Sequence, residues 1–199
     1  MTNPFSTRNI RPGAVDFLFP PGESAARLVD RLRASHWLGQ IVGPHGSGKS
    51  TLLAALGPAF EAAGRVVLTV QPRNQESSGG SPRVDAAGLI GRVKLGPDTQ
   101  LVIDGYEQLS WWTRKRTEAK CRRRGAGLLV TTHQDLSLPT IFTTQPTLAL
   151  AQQVVHRLLG DGDRAITTSD VQEAWDKAGG NLRETLFKLY DVYQSRCNH

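Results

Sequence analysis

Five short apolar runs recur along the chain, and the segments between them carry apolar residues at helical spacing. Aliphatic and β-branched residues dominate the runs, which is typical of buried strands. Strands that alternate with helices predict parallel βαβ units with right-handed crossovers, hence a sheet covered by helices on both faces. The predicted strands cover residues 38–42, 65–70, 101–104, 127–133 and 140–143.

Helical periodicity predicts helices at 24–34, 51–56, 84–93 and 110–124, with Ser24 as the cap of the first. Residues 72–83 collect Pro, Gly, Ser and Asn, and we expect a loop there. After residue 148 the pattern is wholly helical, in three segments separated by glycines at 160–162 and 179–180. We therefore predict a core at 1–147, including an N-terminal arm, and a small helical lid at 148–199.

A glycine-rich segment joins the first predicted strand to a helix; it reads Gly43-Pro44-His45-Gly46-Ser47-Gly48-Lys49-Ser50. Glycines at 43, 46 and 48 are expected to adopt backbone conformations closed to residues with a Cβ, so that N–H groups surround a phosphate. A helix N-terminus favours anions. Spacing and context match the Walker A loop of nucleoside-triphosphate-binding proteins. A plain glycine-rich turn is the alternative.

The same chemistry gives each residue a role with ATP and Mg²⁺ as cofactors. Lys49 would reach the β- and γ-phosphates, and the Ser50 hydroxyl would bind Mg²⁺. Thr51 is counted with the nucleotide-binding residues and has no metal role. Asp104 ends the third strand, where a carboxylate can hold Mg²⁺ opposite Ser50; a turn cap in Asp104-Gly105 is the alternative.

Hydrolysis also needs a group that orients the attacking water. Many P-loop ATPases place a glutamate directly after the strand-end aspartate, but this chain has Gly105 there. Glu107 is the nearest candidate if the segment turns tightly; otherwise it is an exposed residue leading a helix. The fourth strand ends in Thr131-Thr132-His133, where His133 can hydrogen-bond the γ-phosphate or be a surface histidine.

With these residues the chain resembles the P-loop ATPase division that includes AAA+, STAND and ABC-type (ASCE) ATPases. Its Gly180-Asn181-Leu182-Arg183-Glu184 segment is similar to the sensor 2 helix of AAA+ lids. The resemblance implies that Arg183 contacts the phosphates and that Thr131 or Thr132 is sensor 1. Asn181 is expected to cap this helix. The alternative is a plain amphipathic helix that buries Leu182, Leu186, Leu189 and Tyr190.

The resemblance implies an α/β three-layer P-loop sandwich with a parallel central sheet and a helical lid. Lys49, Glu107 and His133 would then act in hydrolysis of ATP to ADP and phosphate. Lid closure would be coupled to nucleotide state and read by an unidentified protein partner. Two alternatives stay open: a slow or non-hydrolysing nucleotide-gated switch or DNA-associated adaptor, and a P-loop phosphotransferase.

The predicted helix at 110–124 is strongly basic, in a chain of 199 residues with a net charge of +6. Such a surface can contact nucleic acid, although a protein partner, solvation or the helix dipole explains it as well. Trp111 and Trp112 are expected to pack against the sheet rather than stack on bases. The cations are Arg114, Lys115, Arg116, Lys120, Arg122, Arg123 and Arg124.

Composition bears on where the protein resides in the cell. Apolar residues make up 39% of the chain, but no run of about 18 apolar residues occurs, so we expect no membrane span. Cys121 and Cys197 are too few for a disulfide framework and lack metal-ligand spacing. A cytoplasmic location is therefore expected.

Overall fold

The computed structural model describes residues 3–72, 86–160 and 164–197. Most of the loop predicted at 72–83 lies outside these residues, as do positions 161 and 162 of the predicted glycine break. The described residues form two compact units. The sheet unit comprises Glu23–Gly43 and Leu56–Thr143, and the helical unit comprises Met1–Gly22, Pro44–Ala55 and Thr144–His199. The boundary predicted at 147/148 lies inside the helical unit, and that division stays a prediction.

All five predicted strands form, and they make one parallel sheet in the order β2-β3-β4-β1-β5. The strand order reverses at β1. Strands β2, β3 and β4 lie on one side of β1, whereas β5 pairs with β1 on the other side. In open α/β sheets, ligands bind beyond the carboxyl ends of the strands at such a reversal. The strands are β1 Leu38–Val42, β2 Val66–Val70, β3 Thr99–Asp104, β4 Gly127–Thr132 and β5 Thr140–Thr143.

The predicted helices also form, although positions 84 and 85 of the helix predicted at 84–93 lie outside the described residues. Ser24 caps the second helix, where its hydroxyl accepts from the Arg27 amide. Within the described ranges, no helix is long and apolar enough to cross a bilayer. The helices are α1 Thr7–Ile10, α2 Ala25–Ala34, α3 Lys49–Ala62, α4 Ala86–Arg92, α5 Trp111–Arg124, α6 Leu148–Leu159, α7 Thr168–Lys177 and α8 Leu182–Cys197.

Strand alternation divides the core of the sheet unit between two faces. Leu38 packs in a cluster with strand residues such as Leu101 and with Cys121 of α5 and Ile90 of α4. Its neighbour Gly39 faces the opposite way, close to Leu32 of α2. Helices therefore cover both faces, because successive strand residues point to opposite sides. The predicted α/β three-layer fold with a parallel central sheet and C-terminal helices is confirmed.

The helical unit has its own apolar core, to which α6, α7, α8 and the N-terminal segment all contribute. Phe5 is fully buried there, and its ring meets Tyr193 edge to face with centroids 6.0 Å apart. Asn3 donates from Nδ2 to the Tyr190 carbonyl at 3.0 Å. The first residues are thus held by the last helix.

Two predictions about burial are wrong. Trp111 and Trp112 do not pack against the sheet: they are 58% and 71% exposed and contact one another, with centroids 4.6 Å apart. The buried side of α5 is formed by Thr117 and Cys121, and both tryptophans fall outside that stripe when successive residues turn by 100°. On α8, Leu182, Leu186 and Leu189 are buried as the amphipathic alternative requires, but Tyr190 is 36% exposed and Tyr193 takes its place.

A capping box and an ion pair tie α7 to α8. The Asp170 carboxylate accepts from the Thr167 amide and forms a two-pronged pair with Arg196, at 2.7 and 2.8 Å. Hydrogen bonding from the Arg196 guanidinium lowers the pKa of Asp170 well below its ordinary value. A depressed carboxyl pKa contributes stability above the unfolded-state pKa, near 4, and loses it as pH falls.

We expect Asp170→Asn to lower the free energy of unfolding by about 1 kcal/mol or more at neutral pH, since it removes the ion pair and weakens the cap. The difference from wild type should shrink as pH falls below about 4, because Asp170 is then protonated in the unfolded chain while the folded state still holds it ionised. Thermal unfolding followed by circular dichroism over that pH range measures it. Glu173→Gln, which breaks the exposed pair with Lys177, is the control and should change little. A difference for Asp170→Asn that persists unchanged into acid would contradict this account.

Candidate functional site

The glycine-rich loop begins directly after β1 and ends in α3, which starts at Lys49, two residues before the predicted start. Gly46 and Gly48 have φ values of 69° and 91°, in the left-handed region that glycine tolerates. Gly43 is not among the glycines with positive φ, so the prediction for it is wrong. Only the second and third glycines are needed for an unusual backbone.

Side chains of the helical unit fix the shape of the loop. The Lys49 ammonium is buried and donates to the Pro44 carbonyl at 2.7 Å, so it closes the loop across five residues. Ser47 and Thr144 are also buried, and their hydroxyls lie 2.6 Å apart. The Lys49 ammonium is thus held against the backbone of the loop at Pro44.

Asn181, directly before α8, forms a wall of the loop. Its Oδ1 accepts from the Glu184 amide at 3.2 Å, which confirms the predicted cap. A Cβ built on Gly46 would lie 2.0 Å from this oxygen, well inside any real contact. Gly46 is therefore required both for its backbone conformation and because the cap of α8 fills the space beside it.

Other residues assigned to the loop are more accessible. Pro44 and His45 are exposed, whereas Ser50 and Thr51 are half-buried in the first turn of α3. Arg183 is exposed in the first turn of α8, with its guanidinium 5.5 Å from the centre of the Phe187 ring. Contact of these side chains with a nucleotide stays a prediction.

In the sheet unit, the ends of β3 and β4 are joined by one hydroxyl. Thr131 lies opposite Asp104 in the parallel register. Its hydroxyl donates to Asp104 Oδ1 at 2.6 Å and accepts from the Gly105 amide at 2.8 Å. Gln71, after β2, donates to the other carboxylate oxygen at 3.4 Å. The predicted strand-end carboxylate is thus held in a fixed orientation.

A tight turn follows Asp104, as the assignment of Glu107 requires. Gly105 has φ 94° and ψ 48°, and residues Tyr106–Gln108 form a single 3₁₀ turn. Tyr106 is fully buried; burial, with Glu118 nearby, raises its pKa well above the ordinary value. Arg114 of α5 donates to the carbonyls of Glu107 and Leu109, both at 2.8 Å. The buried Tyr106 and the hydrogen bonds from Arg114 thus hold the turn in place, and the turn fixes the position of Glu107.

His133 bridges Glu107 and the end of β1. Its Nε2 lies 2.8 Å from Glu107 Oε1, and its Nδ1 lies 3.0 Å from the Gly43 carbonyl oxygen. A carbonyl only accepts, so Nδ1 carries a hydrogen. Nε2 and Oε1 are within hydrogen-bonding distance, so the His133 ring joins the Glu107 carboxyl group to the backbone at the end of β1.

Glu107 has a second oxygen of interest. Oε2 is buried and has no hydrogen-bond partner within the described residues. A buried acceptor without a partner is costly and indicates a ligand or water position. Thr132, in contrast, is fully buried, and its hydroxyl donates to the Gln134 carbonyl at 2.8 Å. Its predicted role as a phosphate sensor stays untested.

Sequence reasoning missed the supporting residues Thr144, Gln71, Tyr106 and Arg114. A large aromatic residue directly after Asp104-Gly105 is the only signal that the turn is anchored. Among the described residues, no group of three or more His, Cys, Asp or Glu side chains is placed to hold a metal ion. Mg²⁺ in phosphoryl-transfer sites, however, takes only one or two protein ligands beside phosphates and waters.

Comparison with known proteins adds little. No protein-family model matches the chain, and no curated protein matches it in sequence. Among solved structures it is similar to one titled "Structure of C. elegans PCH-2", with 13% sequence identity, 88% of this chain and 67% of that chain covered, and a TM-score of 0.36. A likeness this distant supports no conclusion about function.

We expect Gly46→Ala to lower the free energy of unfolding by about 1–2 kcal/mol, because it places a Cβ in the left-handed region and displaces the Asn181 cap. Gly57→Ala, inside α3 with no atom within 4 Å of the added Cβ, is the matched control and should be neutral or stabilising. Chemical denaturation of both variants measures the difference. Equal stabilities would show that the loop does not need glycine at position 46.

Proposed function

We propose that this chain binds ATP with Mg²⁺ through the Gly43–Ser50 loop and hydrolyses it to ADP and phosphate. The observation that carries the proposal is the loop itself, with left-handed backbone at Gly46 and Gly48, a buried ammonium closing it at Pro44, and direct entry into α3. Left-handed glycines let successive backbone N–H groups turn toward a phosphate, and an ammonium and a helix N-terminus beside them favour an anion.

In this proposal Lys49 exchanges its hydrogen bond with the Pro44 carbonyl for the β- and γ-phosphates of the nucleotide. Ser50 and Asp104 are the protein ligands of Mg²⁺. A hydroxyl and a carboxylate are the oxygen ligands that this ion prefers, and the Thr131 hydroxyl holds the carboxylate in one orientation. When bound, Mg²⁺ neutralises charge on the phosphates.

Glu107 is proposed to orient the attacking water. Its unpartnered Oε2 is the acceptor for that water, while Oε1 is held by His133. His133 is proposed to position the carboxylate, because its Nε2 lies 2.8 Å from Oε1. The same ring contacts the Gly43 carbonyl at the start of the loop, which links the loop backbone to the carboxylate.

The contact between Gly46 and Asn181 provides a route from nucleotide to lid. A phosphate bound in the loop would shift the backbone at Gly46. Gly46 lies beside the Asn181 side chain, which caps α8. Arg183, two residues further on, is proposed to reach the phosphates when the lid closes. A protein partner would read the closed state.

One observation also favours a second candidate, a slow nucleotide-gated switch. Glu107 is paired with His133 and is therefore restrained as a base. Binding and turnover must thus be measured separately, and both are accessible with the purified chain.

We expect Lys49→Ala to weaken Mg²⁺-ATP binding at least tenfold, because the ammonium that contacts the phosphates is lost. Isothermal titration calorimetry measures this, with circular dichroism to verify the fold. Lys177→Ala, an exposed residue of α7, removes one positive charge elsewhere and should bind as wild type does. Equal affinity of Lys49→Ala and wild type, or no binding by the folded wild type, would overturn the proposal.

Glu107→Gln should lower steady-state phosphate release by about 10²–10⁴-fold and leave ATP affinity close to that of wild type. The amide keeps the shape but cannot accept a proton. Glu61→Gln, an exposed residue of α3, is the control. If wild type binds ATP but releases no more phosphate than Glu107→Gln, the chain is the switch and not the ATPase.

A further inference from the structure

The net charge of the chain resides in one helix. α5 carries seven cationic residues and a single acid, Glu118, and so has a charge of +6. The whole chain has 24 cationic and 18 acidic residues; without those of α5, 17 of each remain. The excess of cationic over acidic residues is therefore a local property of α5.

Three of the seven cations are used within the sheet unit. Arg114 clamps the 3₁₀ turn, and Lys115 pairs with Glu118 at 3.1 Å. Lys120 donates to the carbonyls of Ile90, Gly91 and Val93, at the end of α4. Folding accounts for these three.

The other four cations, Arg116, Arg122, Arg123 and Arg124, are exposed, and within the described ranges the structure records no ion pair for any of them. The dipole of α5 accounts for the three in its last turn in part. It does not account for Arg116, which lies in the middle of the helix.

A groove of about 680 Å³ runs between α4 and α5. Arg116, Lys120 and Arg123 line it together with the hydroxyl-bearing residues Thr113 and Thr117. Guanidinium groups and hydroxyls are the side chains that bind phosphate oxygens. The Lys120 ammonium and the Thr117 hydroxyl are already bonded to backbone carbonyls. Arg116 and Arg123 therefore supply the groups that can follow a phosphate backbone, and the described lining residues include no acidic side chain.

The exposed tryptophans stand at the start of the same helix. Trp112, Arg116 and Arg123 are spaced by four and seven residues, so they share one face of α5. The two arginines are separated by about 10 Å along the axis. Trp111 and Trp112 are exposed, and neither belongs to an apolar core cluster of the described residues. A polyanion bound along this face would contact the guanidinium groups of Arg116 and Arg123 and, at the start of the helix, the Trp112 ring.

We propose that this face of α5 binds single-stranded nucleic acid, with its phosphates along Arg116 and Arg123 and an unpaired base stacked on Trp112. Arginine tracks combined with exposed aromatic rings are how proteins hold single strands without reading sequence. An acidic peptide would use the arginines but has no need of bare indole rings. A paired duplex would hide its base faces from them. This site is independent of the nucleotide loop.

Fluorescence anisotropy of a labelled mixed-sequence oligonucleotide of about 16 nucleotides tests the proposal, in the full chain without ATP, over a series of salt concentrations. Arg116→Ala/Arg123→Ala should bind at least tenfold more weakly, with a salt slope less steep by about 1.4. Trp112→Ala should bind about fivefold or more weakly with the slope unchanged. Arg27→Ala/Arg33→Ala, on α2, removes the same charge and should match wild type.

The proposal fails if wild type shows no saturable binding at about 50 mM salt, or if the α5 and α2 double variants bind alike. It also fails if poly-glutamate, or a duplex of the same length, competes as well as the single strand, because the site is then a general polyanion surface. Loss of binding in Lys49→Ala would contradict the independence of the two sites.

Discussion

The parallel register of β3, β4 and β1 is the constraint on which the candidate site depends. Parallel strands finish at one edge of the sheet, so Asp104, Thr131 and Val42 reach that edge together. Thr131 then uses a single hydroxyl to fix both the carboxylate and the amide that follows it. A shift of the register by one residue would turn these side chains to the other face and separate all of these groups.

Much of the fold follows from local sequence. Runs such as 127–133 are aliphatic and β-branched over a length typical of strands, and they lack the spacing of an amphipathic helix. The caps Ser24 and Asn181 could be predicted because serine and asparagine side chains accept hydrogen bonds from the first-turn amides of a helix. The candidate site residues could likewise be named, because fixed spacing and position after a strand are visible in the chain.

What could not be predicted depends on contacts between distant segments. Nothing local distinguishes Gly43 from Gly46, since the need for glycine at position 46 comes partly from Asn181, far along the chain. The apolar character of the tryptophans predicts burial, yet the rotation of α5 is set by Thr117 and Cys121. Composition also cannot separate Arg114, which clamps a turn, from Arg116, which faces solvent.

The helical unit is assembled from the beginning, an early middle portion and the end of the chain. Asn3 bonds to a carbonyl 187 residues away, and Ser47 to a hydroxyl 97 residues away. Bringing such distant segments together lowers the chain entropy before stabilising contacts form, and this slows folding. During synthesis the sheet unit has all of its strands once Thr143 emerges, whereas the walls of the glycine loop wait for the last helix. A truncated product would therefore retain a sheet but lack a finished loop.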